Sequence, residues 1–175
     1  MLGRGSTKVA RLGSVEGRRV AVLSPREPLA REPLARERQL LRTFRGAPGI
    51  VQLACDDGDA GDVHFRNTGD VLTELAPFGS LRDLVDDLEF EGRLGDLTDA
   101  HVDRIIEQVD EALDALAARG YAHNDLRASN VLVFSFCARD PAATRVKLCD
   151  FGDCAPGPRD ATLLLRHEIA ELRYS

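Results

Sequence analysis

A regular pattern of apolar and acidic residues between Leu97 and Arg119 is the strongest periodic signal in the chain. Its apolar side chains recur at three- and four-residue spacings, which places them on one face of an amphipathic helix. Thr98 or Asp99 is suited to cap the start of this helix, and Gly120 is suited to end it. The pattern therefore predicts a core helix with this buried face: Val102, Ile105, Ile106, Val109, Ala112, Leu113 and Leu116.

Shorter apolar runs on either side of this helix predict the other elements. Strands are expected around a turn from Gly13 to Gly17. A helix is expected from Leu34 to Phe44, because Pro28 and Pro33 interrupt any helix that starts earlier. The strands on either side of that turn are expected at Val9 to Leu12 and at Arg19 to Leu23. The further predicted elements are strands at Ile50 to Ala54, at Val63 to Arg66 and beginning at Val71, a hairpin of Val131 to Val133 with Val146 to Leu148, and a helical segment at Leu163 to Leu172.

Composition excludes several classes of partner. The net charge of −6 and the pI of about 5.2 argue against nucleic acid or an anionic membrane surface as a partner. No apolar run approaches membrane-spanning length, and the N-terminus lacks the apolar core of a signal peptide. The cysteines show neither a C-x-x-C pair nor a zinc-binding spacing, so reduced thiols in a cytoplasmic or nuclear protein are expected.

Two polar motifs in the second half of the chain suggest its chemistry. His123-Asn124-Asp125-Leu126-Arg127-Ala128-Ser129-Asn130 fits the pattern H-x-D-L-x-x-x-N, and Asp150-Phe151-Gly152 follows the predicted hairpin. An acid that can orient a hydroxyl, an amide and a second acid before Phe-Gly are the components of a metal-nucleotide phosphoryl-transfer site. Either motif alone is also compatible with a polar loop whose Asn and Asp side chains only stabilise turns.

Together the two motifs resemble those of the protein kinase superfamily. The resemblance implies an α+β fold, with a five-stranded antiparallel N-lobe over residues 1–76 and a truncated, mainly helical C-lobe over residues 77–175. The last residues resemble the segment that precedes the Ala-Pro-Glu tripeptide of kinases. The resemblance therefore predicts part of a kinase domain, with ATP and Mg²⁺ as cofactors.

The resemblance also assigns roles to the residues that match its motifs. Asp125 becomes the catalytic-loop acid, and Asn130 and Asp150 become the metal ligands. Arg127 replaces the usual lysine of the loop and keeps its positive charge. Glu37 is the best match for the helix glutamate that orients the phosphate-binding lysine.

The nucleotide-binding residues expected from the resemblance lie in the first half of the chain. The start of the chain resembles a glycine-rich loop, whose bare backbone approaches phosphates closely. The run from Val71 into Gly79 resembles the last N-lobe strand and the hinge, with the backbone groups of Glu74 and Ala76 facing an adenine. The expected cofactor-binding residues are Gly3, Gly5, Ser6, Lys8, Val9, Ala21, Thr73, Glu74 and Ala76.

The position of the phosphate-binding lysine is the main departure from the family pattern. Leu23 stands where the strand Arg19 to Leu23 should end in that lysine, and Leu23 cannot pair with a phosphate. The chain has only two lysines, Lys8 and Lys147, and Lys147 is predicted to be an exposed strand residue. Lys8 follows Gly-Arg-Gly-Ser-Thr, and this loop is similar to that of the with-no-lysine kinases, in which the lysine has moved into the glycine loop.

These patterns leave more than one function open. The favoured hypothesis is a protein kinase for Ser/Thr or Tyr, with weak or incomplete phosphoryl transfer by this chain alone and with a protein substrate or regulatory protein as partner. One alternative is a non-catalytic pseudokinase or a truncated kinase remnant. Another is a small-molecule kinase of the aminoglycoside or choline kinase type, whose loops read H-G-D-L-x-x-x-N.

Overall fold

The computed structural model describes most of the chain and divides it into two compact units. The first unit comprises Met1–Gly46 and Val51–Leu75, and the second comprises Ala47–Ile50 and Ala76–Ser175. The described residues are 3–4, 8–27, 29, 31–55 and 69–174. Their helices and strands give a mixed α+β structure with antiparallel strands towards the N-terminus.

The described residues of the first unit form a four-stranded antiparallel sheet with the strand order β1-β2-β3-β4. A five-stranded sheet is therefore not shown, and the strand expected at 63–66 lies outside the described residues. The strand expected at 50–54 is reduced to isolated bridges, one of which joins Leu53 to Thr73. The strands are β1 at Gly3–Arg4, β2 at Lys8–Val15, β3 at Arg18–Pro25 and β4 at Val71–Glu74.

The hairpin of β2 and β3 is longer than the sequence predicts. The predicted turn from Gly13 to Gly17 is wrong, because only Glu16 and Gly17 turn, with φ of 49° and 76°. Gly13 lies within β2, where an added Cβ would come 2.5 Å from Cγ2 of Val22. The glycine thus marks close packing within the sheet, and the turn is made by the two left-handed residues.

The helix α1, Arg31–Thr43, also begins earlier than predicted. Pro33 falls in its first turn, where the missing backbone N–H would have no partner within the helix. The proline is therefore compatible with the helix and does not delay its start. Besides Glu37, the buried positions are Leu34, Leu40 and Leu41 in the helix and Phe44 just after it.

The second unit contains the long helix that the sequence predicts. Helix α2 spans Leu81–Phe90 and begins with a capping box of Ser80 and Asp83. Helix α3 spans Asp99–Ala117, and all seven apolar positions predicted for its buried face are buried. Gly120 follows the helix with φ of 76°, in agreement with the predicted stop.

Short strands and a last helix complete the second unit. β6, Val131–Ser135, and β7, Arg145–Leu148, form the predicted antiparallel hairpin. β5, Tyr121–Ala122, pairs with β8, Ala155–Pro156. Helix α4, Leu163–Tyr174, confirms the predicted helical segment and buries Leu165 and Ile169. Single turns of 3₁₀ helix lie at Leu94–Asp96, Ala128–Asn130 and Pro141–Ala143.

Within the part of the chain that the structure describes, every helix is too short or too polar to cross a membrane.

Candidate active site

His123 anchors the polar loop of the second unit to the segment that precedes Asp150. Its side chain is fully buried, and Nε2 lies 2.9 Å from the carbonyl oxygen of Cys149. Because a carbonyl only accepts, Nε2 carries the hydrogen, and Nδ1 is then the acceptor for the N–H of Asp125 at 3.4 Å. The ring also contacts Phe151, with ring centroids 5.2 Å apart. The two sequence motifs therefore meet at this histidine.

Asp125 and Asn130 are joined directly. The side-chain Nδ2 of Asn130 donates to the carbonyl oxygen of Asp125 at 2.9 Å and to its Oδ2 at 2.7 Å. The carbonyl oxygen of Asn130 accepts the N–H of Cys149 at 2.9 Å. These bonds place the acid, the amide and the residue before Asp150 in one local arrangement. Because Nδ2 of Asn130 donates its hydrogen bonds to Asp125, Oδ1 of Asn130 is the atom that would coordinate a cation.

Asp150 follows β7 with a φ of 63°, in the left-handed region that non-glycine residues seldom adopt. Such strain often accompanies functional positions, because the surrounding structure must hold the residue there. No group of three or more His, Cys, Asp and Glu residues suited to a metal ion occurs in the described part of the chain. The carboxylate of Asp150 and the amide oxygen of Asn130 nevertheless suit Mg²⁺, which takes only one or two protein carboxylates and completes its shell with phosphates and water.

Arg127 lies in the same loop but with a different environment. It is exposed, and its carbonyl oxygen accepts the N–H of Asn130 at 2.9 Å at the start of the 3₁₀ turn Ala128–Asn130. Its side chain is thus accessible to solvent, in the same loop as Asp125 and Asn130.

In the first unit, Lys8 pairs with Glu37. The ammonium Nζ lies 2.6 Å from both carboxylate oxygens of Glu37. The side chains are 14% and 4% exposed respectively, so the pair is largely removed from water. The structure therefore brings the lysine predicted from the glycine loop to the glutamate predicted from the helix.

The strand register places Lys8 and Leu23 on the same face of the sheet. Lys8 is opposite Pro25, and Ala10 is opposite Leu23. Because side chains alternate between the faces of a sheet, Lys8 and Leu23 belong to the same face as diagonal neighbours. The long side chain of Lys8 therefore extends from the same face of the sheet as a lysine at position 23 would.

Other predicted nucleotide-binding residues fall on both faces of the sheet. Ala21 is directly opposite the buried Thr73, and the two share the face of Lys8. Val9 is opposite Ser24 and faces the other way, towards the small core cluster of Val20, Val22 and Leu72. Ala10, opposite Leu23, lies on the face of Lys8 instead, as strict alternation along the strand would have indicated.

The backbone groups of the two residues predicted to contact an adenine already form some hydrogen bonds. The N–H of Glu74 donates to the carbonyl oxygen of Gln52 at 3.0 Å, so an adenine would use the carbonyl of Glu74. Conversely, the carbonyl oxygen of Ala76 accepts the N–H of Gly79 at 3.2 Å, so an adenine would use the N–H of Ala76. Gly3 lies in β1, whereas Gly5 and Ser6 lie outside the described residues.

The environment of Lys147 differs from that of Lys8. Lys147 lies on β7 opposite Leu132, and its ammonium stands 4.9 Å from the centre of the Phe134 ring. It is half-buried, although the sequence predicts an exposed residue. This cation–π contact gives Lys147 a local role on the hairpin of β6 and β7.

Comparison with known proteins identifies the family. A family model described as the protein kinase domain matches residues 2–174. The chain belongs to the protein kinase domain family. Serine/threonine-protein kinase 1 of Orgyia pseudotsugata multicapsid polyhedrosis virus is 44% identical over 73 residues, which are 41% of this chain and 23% of the viral kinase. Serine/threonine-protein kinase meng-po of Drosophila melanogaster is 46% identical over 48 residues, which are 27% of this chain and 9% of the fly kinase.

Family membership supports the predicted class of reaction and its cofactors. Protein kinase domains use ATP with Mg²⁺ and act on protein hydroxyls. Both relatives are named serine/threonine-protein kinases. The matched stretches span less than a quarter of either relative.

Proposed function

We propose that this kinase domain binds MgATP and transfers the γ-phosphoryl group to a serine or threonine hydroxyl of a protein, with Lys8 as its phosphate-binding lysine. The single observation that carries the proposal is the pair of Lys8 with Glu37 in a chain whose usual lysine position holds Leu23. The assignment of residues 1–76 and 77–175 to the two lobes of a kinase is part of the same proposal.

The charge of Lys8 is the first step of the argument. Kinases place a lysine against the α- and β-phosphates and hold it with a helix glutamate. Lys8 is the only lysine in the first unit, and Glu37 lies on helix α1. A buried carboxylate is costly unless a cation compensates it, so Glu37 holds the ammonium of Lys8 in place. The ammonium of Lys8 has three N–H donors, so it could donate to a phosphate as well as to Glu37.

The polar loop of the second unit supplies the second step. Asp125 has the carboxylate that would orient the attacking hydroxyl and accept its proton. Asn130 and Asp150 would hold Mg²⁺, which neutralises the charge that develops on the transferred phosphoryl group. Arg127 places a positive charge in the same loop, where it would attract the negatively charged γ-phosphate.

The remaining contacts to the nucleotide follow from the backbone and from the face of the sheet. The glycine loop, with Gly3, Gly5 and Ser6, would cover the phosphates through bare backbone. Ala21 and Thr73 would line the adenine pocket, and Ala10 takes this role in place of Val9 because it shares their face of the sheet. The carbonyl of Glu74 and the N–H of Ala76 would read the adenine edge.

A binding measurement on the purified 175-residue chain tests the nucleotide part of this proposal. MgATP at about a hundred times its dissociation constant should add roughly 2.7 kcal/mol to the free energy of unfolding, because the ligand binds only the folded state. The absence of any thermal shift at millimolar MgATP would instead support a kinase remnant that no longer binds nucleotide.

Phosphoryl transfer is tested separately. We expect transfer to a generic protein substrate by this chain alone to be weak, and whatever transfer occurs should disappear in Asp125→Ala. Strong transfer that is lost in Asp125→Ala would contradict the expectation of weak activity. Transfer that persists in Asp125→Ala would contradict the role of Asp125. Nucleotide binding with no transfer at all would identify a pseudokinase.

A further inference from the structure

A cavity of about 350 Å³ lies in the surface of the second unit. Gln108 and Glu111 of helix α3 line one part of this cavity, and the consecutive residues 145–147 of β7 line another. Phe134 of β6 and Gly49 complete the lining. None of these residues is assigned to the nucleotide, the metal or the transferred phosphoryl group, so the cavity has no part in the reaction proposed above.

The side chain of Gln108 joins the two main walls of the cavity. It is buried, and its Nε2 donates to the carbonyl oxygens of Arg104 at 2.9 Å and Thr144 at 3.1 Å. Its Oε1 accepts the N–H of Val146 at 3.2 Å. Both N–H groups and the oxygen of this amide are thus used within the protein, so Gln108 fixes the position of β7 against α3.

Gly49 forms a further wall with its backbone alone. Its carbonyl oxygen accepts the N–H of Leu148 at 2.7 Å, which places this backbone beside β7. An added Cβ would come 2.7 Å from the Cβ of Ala112 on α3, and the φ of Gly49 is 66°. The close approach therefore requires a glycine, and the cavity is formed before any ligand binds.

Two cations of β7 give the cavity a local positive charge. Arg145 and Lys147 are two residues apart on the strand, so their side chains leave the same face, whereas Val146 between them is buried. Nη1 of Arg145 donates to the carbonyl oxygens of Ala142 and Thr144, which holds the guanidinium in place. No carboxylate of the residues that the structure describes forms an ion pair with Arg145, so its remaining N–H donors can bind an anion.

The rest of the lining suits an apolar group beside that anion. Phe134 is half-buried with the ammonium of Lys147 4.9 Å from its ring centre, and Val146 adds an apolar side chain. Glu111 is exposed and adds one negative charge, which would repel a ligand with several phosphates more than one with a single carboxylate. The volume is at the lower end of the range for ligand sites, about 300–1,000 Å³, and suits one or two side chains better than a large cofactor.

We propose that this cavity is a docking site for an acidic segment of a partner protein. In this arrangement a large apolar side chain of the segment packs against Phe134 and Val146, and a neighbouring carboxylate binds Arg145 and Lys147. Because the net charge of the chain is −6, an acidic segment would be repelled by most of its surface, and the two cations would direct it to this cavity. The inference does not depend on the proposed function, since it requires neither nucleotide nor phosphoryl transfer.

The test uses the isotope-labelled 175-residue chain and follows its backbone amide resonances during titration. The probe is the peptide acetyl-Asp-Asp-Phe-Asp-Asp-amide. Two peptides are controls: in one, Ala replaces the Phe, and in the other, Lys replaces every Asp. Inorganic phosphate is titrated separately as an anion without an apolar group.

We expect the probe peptide to shift the amides of Glu111 and Val146 and to leave that of Ile169 in α4 unchanged. Arg145→Gln should raise the dissociation constant of the peptide at least about fivefold, as expected for the loss of a partly exposed charge-assisted hydrogen bond. Arg139→Gln is the matched control, because Arg139 is exposed on the connection between the same two strands, and it should bind as wild type. Both variants should unfold at nearly the wild-type temperature, because both side chains are exposed.

The apolar and acidic parts of the cavity are tested by two further comparisons. The peptide with Ala in place of Phe should bind at least about threefold more weakly, because it buries less apolar surface. Glu111→Gln should tighten binding of the probe peptide by about twofold, because it removes the repulsion between like charges.

The proposal would be overturned if millimolar probe peptide left the amides of Glu111 and Val146 unshifted, or if wild type and Arg145→Gln bound it equally. Equal affinity for the peptide with Ala, or equally tight binding of phosphate, would identify a general anion site and contradict the proposed occupant. Binding of the lysine peptide at the same amides would contradict the proposed polarity. A chain that binds no MgATP would overturn the proposed function and leave these expectations unchanged.

Discussion

The Glu37 side chain is only 4% exposed, so its carboxylate depends on the ammonium of Lys8, which lies 2.6 Å away. The proposed function requires a cation next to this carboxylate. Lys8 and Leu23 are diagonal neighbours on the paired strands β2 and β3, so a lysine at either position would lie on the same face of the sheet. The residue at position 23 is then free to be apolar.

The contact between Lys8 and Glu37 should contribute measurably to the free energy of unfolding of the nucleotide-free protein. Lys8→Met removes the cation that lies against the buried Glu37 carboxylate, and we expect the free energy of unfolding to fall by about 1–3 kcal/mol. Glu37→Gln in the same background should recover part of this loss, because it removes the buried negative charge that Lys8 compensates. Urea unfolding of both single variants and the double variant gives the coupling energy. Strictly additive effects would show that the contact contributes nothing.

Asp150 is the residue on which the proposed Mg²⁺ site depends most. We expect the wild-type chain to bind ATP much more tightly with Mg²⁺ than without it, and Asp150→Asn to lose most of this difference, because an amide is a weaker ligand for a hard cation. The measurement is the ATP dissociation constant at several Mg²⁺ concentrations. Asp153→Asn is the matched control, since Asp153 is exposed and close by in sequence. Equal Mg²⁺ dependence in Asp150→Asn and wild type would contradict the assignment.

At the scale of elements, the sequence predicts what local patterns determine. The apolar stripe of α3 requires burial against a core, and all of its predicted positions are buried. The sequence places the start of α1 too late, because proline interrupts the interior of a helix but is compatible with the first turn, which does not use its N–H. The turn at Gly13 was misplaced because a glycine required by packing has the same appearance in sequence as a glycine required by a turn.

The packing explanation for Gly13 can be tested by substitution. In Gly13→Ala the added Cβ would stand 2.5 Å from Cγ2 of the buried Val22, so we expect a loss of about 1–3 kcal/mol in the free energy of unfolding. Gly95→Ala is the control, because an added Cβ there meets nothing within 4 Å, and it should change stability by less than about 0.5 kcal/mol. Thermal or urea unfolding measures both variants. A similar effect of the two substitutions would contradict the packing explanation.

At the scale of the whole molecule, the family match to residues 2–174 agrees with the fold class that the motifs predict. The residues of the candidate site that lie within one motif were predictable, since Asp125 and Asn130 are separated by a single short turn. The backbone of the same loop also donates hydrogen bonds to Asp160 and Glu168, and these contacts were not predictable, because the bonded residues lie more than thirty residues apart in the chain. Such contacts depend on how α4 packs along α3, which no local pattern encodes.

The relocated lysine is the central claim, and the MgATP affinity of Lys8→Met tests it most directly. Affinity is measured by calorimetry at a temperature where each variant is folded, with Lys147→Met as the matched control, since Lys147 is the only other lysine in the chain. The account predicts that Lys8→Met weakens binding at least about tenfold, as expected for a lost charge-assisted contact of about 1.5–3 kcal/mol. Lys147→Met should bind as wild type.

The double variant with Leu23→Lys in the Lys8→Met background tests the same claim by the same measurement of MgATP affinity. Because positions 8 and 23 share one face of the sheet as diagonal neighbours, the new lysine should restore a substantial part of the lost MgATP affinity. Equal affinities of wild type and Lys8→Met for MgATP would contradict the claim that Lys8 has taken over the phosphate-binding role.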